Sequence, residues 1–245
     1  MKLREPPVRT SSVTAARASR VCDIWLLPTV LSATAGAVDV IGFLALGGLF
    51  TAHITGNLVV VAAHYVTGRF SEVGPILAVP VFAAVLGLVT LASVAVAKAR
   101  YTSRRGLLVL HAALLVSCLG LGLGFGPFAN ADRPMAVLVG MLAVAAMATQ
   151  NALVRLALRG APSTAVMTTN ITQLTIDLTT LARGLGEGDE LATVRHRAGV
   201  TFSCVVGFVV GCAAGAVLEV HFGLWALALP AALAVIAIPL GETQE

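Results

Sequence analysis

The sequence predicts an all-α membrane protein, a polytopic helical bundle with an internal two-fold repeat. Three observations predict it. Of 245 residues, 58% are apolar and only 11% charged, against roughly 25% charged residues in soluble domains, so there are too few polar side chains to cover a water-soluble globule. Six long runs carry no charge except Asp39. Two further segments, one in each half, approach spanning length but are polar.

Composition also excludes function classes. The net charge of +4 comes with only two Trp and two Tyr and no basic-aromatic face, which argues against nucleic-acid binding. Cys22, Cys118, Cys204 and Cys212 lie in or beside apolar runs without Cys-x-x-Cys or Cys/His ligand spacing. They read as small buried apolar side chains, with no metal or redox role.

Taken in order, residues 1–22 form a basic tail, with Pro6-Pro7 and a Ser/Thr run expected to be disordered. A rival reading makes the start of the chain a secretory signal cleaved at Ala33-Thr34-Ala35; against it, the apolar run continues well past Ala35. The membrane domain covers 23–240, and 241–245 is a short C-terminal tail. The apolar runs are Ile24–Phe50, Gly74–Ala97, Leu107–Ala131, Pro134–Val154, Ala198–Leu218 and Phe222–Leu240. Each reaches the ~20 residues that a helix needs to cross ~30 Å of hydrocarbon.

The two polar segments are Ala52–Gly68 and Ser163–Ala182, the second holding seven threonines with Asn170, Gln173 and Asp177. Such a segment cannot face lipid cheaply. Each is either a re-entrant or broken helix, giving six full spans, or a full helix buried in the bundle, giving eight. Basic residues favour six: fourteen of the sixteen Lys and Arg then fall on the cytoplasmic side, leaving only Arg69 and Arg133 outside. Both plans put the N- and C-termini in the cytoplasm of a multi-pass inner-membrane protein. With six spans the halves, about 24–131 and 134–240, have opposite orientations; with eight they are parallel. Thr55/Asn57 and Thr168/Asn170 support the repeat, and either arrangement is a transporter plan. Gly207-x-x-x-Gly211-x-x-x-Gly215 reads as a close-packing face for a neighbouring helix.

Asp39 is the sharpest candidate for chemistry. It lies about 22 Å along the first span, where an ionised carboxylate needs a partner or a proton. It is a candidate for substrate binding or proton coupling; the alternative is a carboxylate bonded to backbone amides at a broken helix. Gly47, Gly48 and Gly56 are candidate helix-break residues. Freed backbone groups beside Thr55, Asn57, Thr168, Thr169 and Asn170 would hold ions or polar solutes, or these residues cap helices. Gln150 and Asn151 are candidate substrate-binding residues or interhelical hydrogen-bonders. Asp177 and His53 are further proton-coupling candidates, although Asp177 also reads as a solvated helix residue. His53 and His64 are three turns apart, too far for a shared metal. His111 and Arg155 read as snorkelling membrane-end residues.

The run GAVDVIGFLALGGLFTAHITGN resembles the signature of the YoaK family of bacterial membrane proteins, catalogued as DUF1275. The residues that carry the resemblance are Gly36, Asp39, Gly42, Phe43, Gly47, Gly48, Thr55, Gly56 and Asn57, with Gln150-Asn151-Ala152, Arg155 and Thr168-Thr169 in the second half. The resemblance covers residues 25–240 and departs from the family at Thr169, where glycine is common. It implies the fold and no reaction or substrate.

No nucleophile elbow, HExxH, phosphate-loop or dinucleotide motif occurs, so no enzyme, metal or cofactor is expected. The expectation is a small-solute transporter, with proton coupling as an option, acting through a site of Asp39, Asn57, Gln150, Asn151 and Asn170. Its partners are the lipid bilayer and a small polar solute or ion, and a homo-oligomer is compatible. A non-transporting scaffold or sensor is the first alternative, and an intramembrane lipid-modifying enzyme the second.

Overall fold

The computed structural model describes residues 10–68, 72–98, 104–184 and 188–242. All regular structure among them is helical: α1 (Thr10–Ala45), α2 (Ile54–Val66), α3 (Val73–Lys98), α4 (Arg104–Phe125), α5 (Pro134–Ala157), α6 (Met167–Ala182), α7 (Asp189–Phe222) and α8 (Ala228–Glu242), with a 3-10 turn (Gly223–Leu227) before α8. Five stretches are long and apolar enough to cross a membrane: Trp25–Ala45, Val73–Ser93, Arg104–Phe125, Pro134–Ala157 and Asp189–Gly241, the last containing both α7 and α8. The chain is a multi-pass membrane protein. Its outward faces agree, since Leu88 and Leu91 of α3 are 66% and 69% exposed and Val209 and Val220 of α7 are 59% and 76% exposed. Such faces suit hydrocarbon, which also forces every backbone group into intrahelical hydrogen bonds.

Several boundaries differ from the sequence reading, each for a local reason. Residues 10–22 belong to α1 and extend it toward the N-terminus; the rest of the expected tail, 1–9, lies outside the described residues. α1 stops at Ala45, five residues short of Phe50, because Gly47 (φ 65°) and Gly48 (φ 76°) take the left-handed conformation that ends helices. α4 ends at Phe125, before Gly126-Pro127, where proline cannot continue the hydrogen-bond ladder. α7 begins at Asp189, well before the charge-free run, with Asp189 and Glu190 in its first turn complementing the helix dipole. The last run opens with the 3-10 turn rather than a helix. α2 and α6 have 13 and 16 residues, about 20 and 24 Å at 1.5 Å per residue, short of the ~30 Å hydrocarbon core.

Packing is pairwise. α1 runs along α7, α5 along α3, α4 joins α5 to α8, and α8 returns to α1, while α2 lies on α3 and α6 on α7. One end of the bundle gathers Trp25 of α1, the end of α5, the first turn of α4 and the second turn of α7. There Trp25 Nε1 donates to His196 Nε2 at 3.3 Å and Arg104 Nη1 to the Gly241 carbonyl at 3.1 Å. The opposite end gathers Gly47 against Ala131 and Glu72, Gly126 against Leu224, and the Val73 amide donating to Asp132 Oδ1 at 2.7 Å. α2 thus leaves from and returns to the second end, and α6 to the first.

The tightest contact is α1 on α7. A Cβ on Gly211 would strike the Ala33 carbonyl oxygen, one on Gly207 would come within 2.7 Å of the Thr29 oxygen, and one on Gly215 within 3.0 Å of the Ala37 oxygen. Gly36 answers from α1, lying against the Phe208 carbonyl. The glycine stripe seen in the sequence is therefore a backbone-to-backbone seam, as close packing in lipid requires. Gly87 on α3 has open space around it. Replacing Gly211 by valine should lower stability in detergent by about 3 kcal/mol, at the upper end of overpacking costs, and lower monodisperse yield. Gly87→Ala should be neutral or slightly stabilising, and thermal unfolding of the two variants side by side checks both.

Candidate functional site

The first helix break runs from Leu46 to His53, between α1 and α2, and would leave a row of amides without partners inside an apolar bundle. Two side chains take them. Asp39, buried on α1, accepts at Oδ1 from the amides of Thr51 (2.7 Å), Ala52 (2.8 Å) and His53 (3.3 Å), and from the Thr51 hydroxyl at 3.4 Å. Asn57, fully buried in the first turn of α2, reaches seven residues back: its Oδ1 accepts from the Phe50 amide at 2.9 Å and its Nδ2 donates to the Phe50 carbonyl at 2.7 Å. Asn57 Nδ2 also donates to the Ile54 carbonyl at 3.2 Å. Phe50 to His53 are thereby bonded through consecutive amides. Asp39 Oδ2 accepts no hydrogen bond among the described residues.

The second break, Leu158 to Val166, solves the same problem with neutral groups. Asn170 again reaches seven residues back, donating from Nδ2 to the Ser163 carbonyl at 2.6 Å. Ser163 Oγ accepts from the amides of Ala165 (3.4 Å) and Val166 (2.9 Å). Gln150, fully buried on α5, donates from Nε2 to Thr164 Oγ1 at 2.9 Å and to the Leu31 carbonyl of α1 at 3.0 Å, tying the break to the first helix. Its Oε1 is buried without a partner among the described residues.

A cavity of about 440 Å³ opens at this second break, lined by Asn151, Arg155, Arg159, Gly160, Ser163, Thr164, Thr169, Asn170, Gln173 and Arg197 among others. A neighbouring hollow shares Arg159 to Pro162 and Arg197 and adds Arg104, Thr193 and His196. Among the described residues, no group of three His, Cys, Asp or Glu is arranged to hold a metal ion.

The family of proteins of unknown function DUF1275 matches residues 27–240. This chain belongs to that family. No curated protein and no solved structure matches it.

The residues singled out in this DUF1275 protein do not meet in one place. Asp39 and Asn57 hold the first break, with Thr55 exposed beside them; Gln150, Asn151, Asn170 and the exposed Thr168 belong to the second. Leu31, which Gln150 touches, precedes Asp39 by roughly two turns, about 12 Å along α1. Of the residues the sequence offers for binding a solute, Asn151, Thr169 and Asn170 line the cavity. Gly47 and Gly48 lie in the break, whereas Gly56 is inside the first turn of α2, where a Cβ would come within 2.9 Å of the Phe50 ring. His53 is the N-cap of α2; its amide, not its ring, meets Asp39.

Two further residues depart from the sequence reading. His111 does not snorkel: it is fully buried on α4, with Nδ1 3.0 Å from the Ala146 carbonyl of α5, because α4 begins two turns earlier at Arg104. Asp177 is not solvated: its side chain is 1% exposed and accepts Arg197 Nε at Oδ2 (2.9 Å) and Arg197 Nη2 at Oδ1 (2.6 Å), with Gln173 Nε2 also donating to Oδ1. Those guanidinium bonds hold its carboxyl below the usual range. Arg159, which the sequence marks only as part of the Arg159-Gly160 break, and Arg197 were not singled out as site residues; the signal available for Arg197 was the basic cluster Arg195 to Arg197 preceding a charge-free run.

Two stability predictions follow from this geometry. Asp39→Ala strips three amides of their acceptor and should cost at least about 3 kcal/mol, at 1–3 kcal/mol for each unsatisfied buried group, while Asp39→Asn keeps an oxygen there and should cost much less. Thermal unfolding separates them. For Asp177, a folded pKa below the unfolded one means stabilisation that is complete above the ordinary value of 3.8 and is lost as pH falls through the folded one. Asp177→Asn should therefore cost about 1 kcal/mol at neutral pH, a figure discounted because Arg197 is 48% exposed. The difference from the native chain should close in acid melts.

Proposed function

We propose that this DUF1275 protein is a small-solute transporter of the bacterial inner membrane. Six of its helices cross the bilayer (α1, α3, α4, α5, α7 and α8), and α2 and α6 enter and leave from opposite sides. The observation that carries this reading is the matched pair of breaks. Laid without a gap, Gly36–Asn57 on Thr149–Asn170 sets Gly47 on Gly160, Thr51 on Thr164, Ala52 on Ala165, Thr55 on Thr168 and Asn57 on Asn170. Gly47 and Gly160 both have left-handed φ, 65° and 88°, and both asparagines bond the carbonyl seven residues back.

Exchanging the halves maps each helix contact onto another: α1 on α7 becomes α5 on α3, α4 on α5 becomes α8 on α1, and α2 on α3 becomes α6 on α7. With three crossings in each half, the halves are inverted, and broken helices at the repeat interface are where such transporters bind their cargo. The end carrying Arg104, Arg155, Arg159 and Arg197 faces the cytoplasm by the positive-inside tendency, as do both termini. Asp39 is the proton-coupling candidate, because Oδ2 accepts no bond among the described residues while Oδ1 is held by three amides.

The test is thermal stabilisation of the detergent-purified chain by a metabolite and ion library at two pH values, followed by uptake of each hit into proteoliposomes. A solute at about a hundred times its dissociation constant adds about 2.7 kcal/mol. The expected result is a hit that enters proteoliposomes and whose pH dependence disappears in Asp39→Asn. A well-behaved protein that no solute stabilises and that moves none overturns transport in favour of a scaffold.

A further inference from the structure

We infer that the cavity at the second break is a binding site for a phosphoryl oxyanion, gripped by the convergent guanidiniums of Arg155, Arg159 and Arg197. This deepens the transport reading and rests on it only for calling the anion a cargo.

The three arginines come from three elements: Arg155 from the last turns of α5, Arg159 from the break itself and Arg197 from α7. Among the described residues, no aspartate or glutamate lines the cavity. Arg155 and Arg159 are exposed, and neither makes an ion pair or hydrogen bond among the described residues. Arg197 differs: Asp177 holds its Nε and Nη2, which fixes the side chain, and Nη1 has no partner among the described residues. With Asp177 counted against three arginines, the local charge is about +2. That matches a phosphate dianion better than a halide or a monocarboxylate, and the planar fork of arginine suits tetrahedral oxyanions through paired N–H bonds. Thr169 and Asn170, in the first turn of α6, put the positive end of that helix on the same cavity.

Fold requirements do not explain these cations. In the gap-free match between the halves, Arg155 corresponds to Gly42 and Arg159 to Leu46, and the first break closes without either charge. The positive-inside tendency accounts for arginines at this end of the bundle, but not for three of them lining one hollow. At about 440 Å³ the space falls within the ordinary range of small-ligand sites, ample for phosphate or a small phosphate ester.

Two sources offer this chemistry, a free phosphate and the headgroup of an anionic lipid. The experiment uses the full chain in neutral detergent, titrated with inorganic phosphate and with pyrophosphate, and in parallel the chain in phosphatidylcholine vesicles with and without phosphatidylglycerol. Thermal unfolding and equilibrium binding are read for the native chain, Arg155→Gln, Arg159→Gln and the double variant. Unliganded, the variants should melt as the native chain does, since neither arginine has a partner among the described residues. We expect saturable stabilisation by phosphate or pyrophosphate, weakened at least tenfold by each single substitution and abolished in the double variant.

Arginine-dependent stabilisation by phosphatidylglycerol alone supports the oxyanion site with a headgroup as its source, and overturns a free cargo. Equal response of native chain and double variant to every probe overturns the site. Arginine-dependent phosphate binding without phosphate uptake leaves the site standing and overturns phosphate as the cargo; uptake of another solute without such binding overturns the site and leaves transport standing.

Discussion

Backbone amides that leave a helix inside hydrocarbon must find acceptors within the protein, because no water is there to supply them. The two breaks of this chain are built around that constraint. At the first, one oxygen of Asp39 collects three consecutive amides while Asn57 closes a two-way bond with Phe50. Four amides in a row are thus served by two side chains from different helices, so α1 and α2 are held in one register. Without this, the glycine pair could end α1, but nothing would return the chain into the bundle.

The same constraint met by different chemistry makes the halves unequal. A carboxylate serves the first break; serine, glutamine and asparagine serve the second. The carboxyl of Asp39 is buried toward one end, and exposed arginines lie at the other. A carboxylate with one committed and one uncommitted oxygen is suited to exchange a proton. A hollow walled by guanidiniums is suited to hold an anion.

Rigidity comes from elsewhere. The α1–α7 seam, where Gly207, Gly211 and Gly215 meet carbonyls of α1, brings two helix backbones together with no side chain between them. Bulk apolarity cannot drive such association in lipid, so contact and shape must. The seam anchors the first break through α1 and carries Arg197 to the second through α7, linking both sites to one frame. α2 and α6, lying on α3 and α7, are the shorter elements on that frame.

The membrane class, the long apolar helices and the two polar segments were legible in the sequence, because composition and run length act through solvent alone and need no knowledge of neighbours. Asp39, Asn57 and Asn170 were legible for the same reason: a polar group in an apolar run must have a partner. Which partner could not be read. That Asp39 bonds Thr51, Ala52 and His53, that Gln150 reaches Leu31, that His111 turns inward to Ala146 and that Asp177 pairs with Arg197 depend on how helices are packed. The sequence by itself determined the solvent and the places where helices break. Only the tertiary structure decided that the two breaks lie at opposite ends and that three arginines share one hollow, because convergence of side chains from α5, the break and α7 is set by the packing of helices distant in sequence.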